Sequence, residues 1–96
     1  MSLNDSPTWY RVELRSKARK QLKTMDRFDA LILATWIKNN LDGCTNPRAL
    51  EKALTANHSG EWRYLVGSYR ILALIHNDVV TIEVFSVGRR DKIYRS

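Results

Sequence analysis

Alternating apolar and polar residues lie near both ends of the chain, and apolar residues at helical spacing lie between them. The segment WYRVELRSK alternates Tyr10, Val12 and Leu14 with charged residues, and this period of two predicts a half-buried strand. Further along, EWRYLV, YRILALIH and VVTIEVFSV are rich in β-branched and aromatic residues and predict three more strands. One strand, a helical region and three strands indicate an α+β fold.

Two helices are predicted between the first strand and the last three. SKARKQLKTM reads as a short basic helix with Ser16 as its cap, and DRFDALILATWIKNNLDG as a longer helix that ends at Gly43. The longer helix has a broad apolar stripe that we expect to pack on the sheet, made of Phe28, Leu31, Ile32, Thr35, Trp36 and Leu41. The segment after it is ambiguous, since Pro47 could start one or two turns of helix over Ala49 to Leu54, whereas Asn57, Ser59 and Gly60 mark a loop before the next strand. We therefore expect two helices on one face of a small antiparallel sheet, which is built from an N-terminal strand and a C-terminal three-stranded meander.

The links between the last three strands predict how those strands pair. Gly67-Ser68 and Asn77-Asp78 both suit two-residue hairpin turns, so the residues that flank each link lie opposite one another. In the second hairpin this pairs Ile71, Ala73 and Ile75 with Val84, Ile82 and Val80, an apolar face for the helices to cover. On the uncovered face the same arithmetic predicts two rows, namely Leu65, Arg70, Phe85 and Arg63, Leu72, Glu83.

Length and charge narrow the class of protein. At 96 residues the chain is expected to form a single domain over residues 1–96. Its net charge is +6, and the basic excess lies in two segments, from Trp9 to Lys23 and from Ser86 to Ser96. This distribution favours a polyanionic partner, either nucleic acid or an acidic protein, over a membrane surface. The alternative is a solvated basic face that only keeps the protein soluble.

Several classes of site are not expected. Cys44 is the only cysteine, so an internal disulfide is excluded, and the chain has neither a signal peptide nor a long apolar run. His58 and His76 have no cysteine or carboxylate cluster at ligand spacing. The sequence thus predicts a cytoplasmic protein that needs no metal or cofactor and no membrane.

The predicted uncovered face and the basic tail contain residues suited to a phosphodiester. Arg63 and Arg70 lie at diagonal positions of neighbouring strands, and a turn at Gly88 can bring Arg90 and Tyr94 over the same face. Arginine donates paired hydrogen bonds to phosphate oxygens, but it cannot act as an ordinary base. Tyr94 is the candidate for handling a proton, for stacking on a base or for simple packing. An ion pair of Arg63 with Glu83 is the structural alternative.

These segments in this order resemble a known family. The stretches GEWRYLVGSYRIL and VVTIEVFSVGRRDKIY, with a strand and two helices before them, are similar to the RelE/ParE superfamily of bacterial toxins, in its RelE-like branch, over about Tyr10 to Tyr94. The resemblance implies an mRNA interferase that cuts mRNA in the ribosomal A site without a metal and is held inactive by a cognate antitoxin. It also implies that any contact with DNA is made through the antitoxin.

The resemblance carries over to particular residues. It implies that Arg63, Arg70 and Arg90 bind the scissile phosphate and that Tyr94 orients or activates the 2′-hydroxyl or stacks on a base. Leu65 departs from the family, which often has a second basic residue there, so we expect either a lower activity or that Arg89 or Lys92 supplies the charge. Ribosomal RNA is expected to contact the basic helix through Lys17, Arg19, Lys20 and Lys23. The alternatives are a ParE-like inhibitor of DNA gyrase and an inactive binding module with the same fold.

Overall fold

The computed structural model describes residues 9–47, 53–54 and 61–89. The elements, in chain order, are β1 (Arg11–Leu14), α1 (Ser16–Thr24), α2 (Arg27–Trp36), β2 (Ala53–Leu54), β3 (Glu61–Val66), β4 (Tyr69–His76) and β5 (Thr81–Arg89). Helix α2 runs on into a π-helical turn, Ile37–Leu41. The predicted α+β class is confirmed. None of the helices in these ranges is long and apolar enough to cross a membrane.

The strands form one sheet in the order β1-β5-β4-β3-β2. The three-stranded meander is antiparallel as predicted, whereas β1 runs parallel to β5, with Arg11 opposite Thr81 and Leu14 opposite Val84. The sheet is therefore mixed. The two-residue strand β2 pairs with β3, so the helical alternative for the segment before Leu54 is wrong at its end, and the rest of that segment lies outside the described residues.

The first hairpin is as predicted. Val66 pairs with Tyr69 across Gly67-Ser68, Leu65 with Arg70, and Arg63 with Leu72. Gly67 has a φ of +60°, a left-handed conformation that glycine adopts without the steric penalty of a side chain.

The predicted second hairpin is wrong. His76 pairs with Thr81, so the turn holds four residues, 77–80, instead of two. Contacts with β1 hold this longer turn: the Tyr10 hydroxyl donates to Asn77 Oδ1 at 2.8 Å, and the amide of Arg11 donates to the Val80 carbonyl at 3.1 Å. The register predicted from the sequence did not include these contacts, because it was derived from the two strands of the hairpin alone.

A β-bulge then shifts the register again. Ala73 pairs with Val84 but Leu72 pairs with Ser86, which leaves Phe85 as the extra residue of β5. The predicted rows change accordingly. Arg70 lies opposite Gly88 instead of Phe85, Leu72 lies opposite Ser86, and Glu83 moves opposite Leu74, away from the row of Arg63.

The predicted starts of the two helices differ in accuracy. Ser16 is the first residue of α1, and the capping position before it is Arg15, whose side chain makes no capping hydrogen bond. Asp26 caps α2, because its carboxylate accepts hydrogen bonds from the amides of Phe28 at 3.0 Å and Asp29 at 3.3 Å. Gly43, with a φ of +86°, follows the π-helical turn, as the sequence predicts for the end of this helical region.

Only part of the predicted stripe packs on the sheet, namely Trp36 of α2 and Leu41 of the π-helical turn. Leu33 is fully buried, and Ile37 and Leu41 continue its line into the core. Phe28 and Leu31, by contrast, are 70% and 61% exposed. Both sets of residues have helical spacing, so periodicity alone could not choose between them. The fold therefore leaves an apolar stripe on the surface of α2.

The core lies between the helices and one face of the sheet. Its fully buried side chains include Tyr64, Ile71, Ile82 and Val84, which all point to this covered face. The ring of Trp36 from α2 packs on that of Tyr64, with 5.6 Å between the ring centroids. No helix in the described ranges packs on the other face of the sheet, which we call the uncovered face and which carries Arg63 and Arg70.

Candidate nucleic-acid interface

Arg63 and Arg70 lie on the uncovered face of the sheet. Arg63 is opposite Leu72 and Arg70 is opposite Leu65, so all four side chains share one side of neighbouring strands. Residues in such diagonal positions lie about 7–8 Å apart. Both arginines are half-buried. Long arginine side chains that start from positions this far apart can both reach one phosphate group and donate hydrogen bonds to it.

Glu83 forms its ion pairs with residues other than Arg63, the partner that the sequence offered as an alternative. Its carboxylate contacts Arg15, at the end of β1, and His76 Nε2 at 2.9 Å. The hydrogen bond from His76 holds the pKa of Glu83 below its ordinary value; burial opposes this effect and the charge of Arg15 assists it. Glu83 is thus engaged at the β1 side of the uncovered face, two strands away from Arg63.

Arg89 points to the covered side of the sheet. Its guanidinium carbon lies 5.8 Å from the centroid of the Tyr69 ring, a cation–π contact. The Tyr69 hydroxyl in turn donates to Asp29 Oδ2 on α2 at 2.5 Å, and this hydrogen bond raises the pKa of Tyr69. Side chains alternate along a strand, so Tyr69 and Arg70 face opposite sides. The side chain of Arg89 therefore lies on the face of the sheet opposite to that of Arg70 and Leu65.

The remaining predicted site residues fall into two groups. Lys17, Arg19, Lys20 and Lys23 are exposed on α1, which buries Ala18 against the rest of the fold. Arg90, Lys92 and Tyr94 lie outside the described residues. Of the four predicted catalytic residues, the structure thus brings together Arg63 and Arg70.

Two residues that the sequence did not single out lie beside this surface. Arg15 and Phe85 line an open cleft between the start of α1 and the bulge of β5. The alternation of β1 marked Arg15 as exposed, whereas Phe85 is the extra residue of the bulge in β5. No pattern in the sequence indicated that bulge.

A protein-family model, that for the ParE toxin of type II toxin-antitoxin systems, matches residues 12–94, which is most of the chain. The chain belongs to the RelE/ParE toxin superfamily. No curated protein sequence matches the toxin significantly.

Solved structures similar to the toxin share its fold. The toxin-antitoxin complex RelBE2 from Mycobacterium tuberculosis superposes with a TM-score of 0.71 at 19% identity, covering 85% of the toxin and 99% of the matched chain. For the archaeal RelE-RelB complex from Pyrococcus horikoshii the TM-score is 0.68 at 18% identity, with 84% and 94% covered. The intact Escherichia coli RelBE complex gives 0.65 at 20% identity, with 83% and 95% covered.

Proposed function

We propose that the toxin is a ribosome-dependent endoribonuclease that cuts mRNA in the A site and so inhibits translation in the cytoplasm. The observation that carries this proposal is the placement of Arg63 and Arg70 on one uncovered face, at diagonal positions of paired strands. Two fixed positive charges stabilise the extra negative charge that a phosphodiester gains in its transition state, because they need no reorganisation during the reaction.

The reaction that suits this arrangement is attack by the neighbouring 2′-oxygen. A bond forms between the 2′-oxygen and phosphorus, the bond from phosphorus to the 5′-oxygen breaks, and the product is a 2′,3′-cyclic phosphate. The proton leaves the 2′-hydroxyl, and the departing 5′-oxygen gains one. In this proposal Arg90 joins Arg63 and Arg70 at the phosphate, and Tyr94 orients or activates the 2′-hydroxyl or stacks on a base.

Dependence on the ribosome follows from the composition of such a site. Arginines supply charge but position a flexible RNA poorly, and a ribosome that presents the mRNA in a fixed conformation removes that cost. The exposed cations of α1 are then available to ribosomal RNA, an interaction that weakens steeply with salt. These residues are Lys17, Arg19, Lys20 and Lys23, and Lys92 of the tail is proposed to assist.

A cognate antitoxin is the proposed protein partner. The similar structures from M. tuberculosis, P. horikoshii and E. coli are complexes of toxin with antitoxin. An antitoxin for this toxin should be acidic, because it must neutralise the basic surface, and any operator DNA would be bound by it and not by the toxin. The exposed stripe of α2 offers apolar surface for an amphipathic helix, with Phe28, Leu31 and Ile32 at its centre.

Inhibition of DNA gyrase is the second candidate function. It is favoured by the family model, which describes a ParE toxin of a parDE system. This activity would not require a convergent set of arginines and a tyrosine. A third reading, an inactive binding module, draws on the apolar Leu65 at a position where the family often has a basic residue.

A reconstituted translation reaction separates these candidates. Purified toxin is added with and without ribosomes, and the 5′ ends of the mRNA are mapped by primer extension. We expect cuts at A-site codons only when ribosomes are present. A supercoiling assay with gyrase runs in parallel. Inhibited supercoiling with intact mRNA would establish the second candidate, and no effect in either assay would leave the binding module.

Two substitutions test the proposed site. Arg70→Ala and Arg90→Ala should each reduce the rate of cleavage by about 100- to 1,000-fold, since each removes a charged donor from the transition state. Folding and antitoxin binding should be nearly unchanged by circular dichroism and by titration. Lys38→Ala, which removes one exposed charge from the π-helical turn, is the matched control. Full activity in either arginine variant would remove that residue from the site.

A further inference from the structure

An open basic cleft lies at the β1 edge of the sheet, apart from Arg63 and Arg70. It has a volume of about 590 Å³ and is lined by Leu14, Arg15, Ser16, Lys17, Arg19 and Phe85. The lining includes three cations and no carboxylate. Ligand clefts commonly have volumes of about 300–1,000 Å³, so this one has room for a nucleotide.

The cleft exists because two elements diverge at this point. The amide of Arg15 makes the last hydrogen bond of β1 to β5, donating to the Val84 carbonyl at 2.9 Å, and α1 then begins at Ser16. On the other side β5 bulges at Phe85. Beyond the bulge, Gln21 of α1 takes over as acceptor, with its Oε1 2.7 Å from the amide nitrogen of Val87. The gap is thus bounded at both ends by hydrogen bonds to the backbone of β5, one from the backbone of Arg15 and one to the side chain of Gln21.

The cations of the cleft are arranged to receive an anion. Arg15 and Arg19 lie one helical turn apart, since the amide of Arg19 donates to the Arg15 carbonyl at 3.0 Å. Arg15 is oriented by its ion pair with Glu83, yet its side chain stays 64% exposed. Arginine has five N–H donors, so several remain for a ligand. Within the described part of the chain, Lys17 and Arg19 make no ion pair.

Phe85 distinguishes this cleft from a plain patch of charge. Val84 points into the core and Ser86 lies opposite Leu72 on the uncovered face; the bulge residue Phe85 lies between them, lines the cleft and is only half-buried. Arg63 and Arg70 share that face. From β3 to β1 the sheet spans three strand spacings, about 14 Å. An aromatic ring among cations is the arrangement with which proteins bind single-stranded nucleic acid, the bases stacking on the ring while the cations hold the backbone.

We infer that this cleft is a second RNA subsite, in which Arg15, Lys17 and Arg19 bind successive phosphates of a single strand and Phe85 stacks on a neighbouring base. It extends the RNA surface from Arg63 and Arg70 across the uncovered face to the start of α1. The inference rests on the proposed function for its choice of RNA as ligand. An acidic peptide would use the same cations but would gain little from the aromatic ring.

Fluorescence anisotropy without ribosomes tests the subsite directly. The probes are a 5′-fluorescein-labelled hexamer of adenylate and an abasic hexamer with the same ribose-phosphate backbone, at several salt concentrations. The wild-type toxin should bind the base-bearing hexamer about 5- to 150-fold more tightly than the abasic one, the range expected for a stacked base. Phe85→Leu should lower this preference by at least about fivefold. Phe28→Leu, the same change at an exposed phenylalanine of α2, should leave it unchanged.

The basic residues are tested by the dependence of binding on salt. Lys17→Ala and Arg19→Ala should each reduce the slope of log K against log salt concentration by about 0.7, the value for one phosphate of a single strand. Lys38→Ala should not change it. If Phe85→Leu fails to fold by circular dichroism, Phe85→Trp replaces it and should keep the preference for the base-bearing hexamer, because it retains an aromatic face.

Three outcomes would overturn the inference. The first is equal affinity of the wild-type toxin for the two hexamers, which would indicate a site for any polyanion. The second is a preference for the base-bearing hexamer that is unchanged in folded Phe85→Leu. The third is the loss of this preference in Phe85→Trp. The translation assay separates this failure from failure of the proposed function. A toxin that cuts mRNA normally while Phe85→Leu binds as the wild type would refute the subsite alone. A toxin that cuts no mRNA but loses base preference on Phe85→Leu would keep the subsite and refute the nuclease.

Discussion

Two leucines on α2, two positions apart, offer a direct test of which face of this helix packs on the sheet. Leu33 is fully buried, whereas Leu31 is 61% exposed on the apolar stripe. Leu33→Ala and Leu31→Ala delete the same atoms from the same helix. The two variants therefore differ only in the environment that the side chain leaves.

The structure predicts a large difference between them. A fully buried leucine truncated to alanine loses its transfer free energy and leaves a cavity, so Leu33→Ala should lower the free energy of unfolding by about 3 kcal/mol, within a range of roughly 2–5. Leu31→Ala should change it by less than about 0.5 kcal/mol, as for most surface substitutions. In a chain of this size, about 3 kcal/mol corresponds to a fall in Tm of more than about 10 °C.

Urea unfolding followed by far-ultraviolet circular dichroism measures both variants. An unchanged m-value would show that the change lies in stability and not in the compactness of the unfolded state. Equal losses for the two variants, or a larger loss for Leu31→Ala, would refute the assignment of the packed face. The second result would restore the face that the sequence pattern favours.

Two further variants probe the uncovered face and its first hairpin. Gly67→Ala should lower the free energy of unfolding by about 1 kcal/mol, because the left-handed φ of +60° disfavours any side chain, whereas no other heavy atom lies within 4 Å of the added Cβ. Ser68→Ala is the control. A Gly67→Ala variant with unchanged stability in urea unfolding would contradict the turn conformation. Glu83→Gln should remove a pH-dependent contribution to stability. Its lowered pKa means that Glu83 stabilises the fold above the ordinary carboxyl value of 4.5, and that this contribution is lost as the pH falls through the lower pKa of the folded state. The difference in unfolding free energy between wild type and Glu83→Gln should accordingly shrink as the pH is lowered below about 4.5, and a difference that stays constant down to pH of about 2 would show that Glu83 gains nothing from His76 and Arg15.

Local patterns predicted the parts of the fold that depend on neighbouring residues in the chain. The alternation of β1 and the two-residue turn at Gly67-Ser68 both follow from such patterns, and the second of these fixes Arg63 and Arg70 on one face. The second turn could not be predicted in this way, because its length depends on hydrogen bonds from Tyr10 and Arg11, which lie almost 70 residues earlier.

The packed side of α2 and the basic cleft could not be predicted for a different reason. Helix α2 carries apolar residues on most of its circumference, so hydrophobic periodicity identified a helix but not its packed side. The cleft lies at the bulge of Phe85, before which β5 pairs with β1 and beyond which the amide of Val87 donates to Gln21 of α1. Neither result can be read from the residues of one element.

The parallel pairing of β1 with β5 has a consequence for how the chain folds. In the described sheet β1 is an edge strand whose neighbour is β5, and Arg11 pairs with Thr81, which lies 70 positions later in the sequence. Contacts between residues so far apart close large loops and slow folding. During synthesis the first strand therefore remains without its sheet until the last one is made. A newly made toxin should acquire the cleft at the start of α1, which needs Phe85, later than the hairpin of β3 and β4 that holds Arg63 and Arg70.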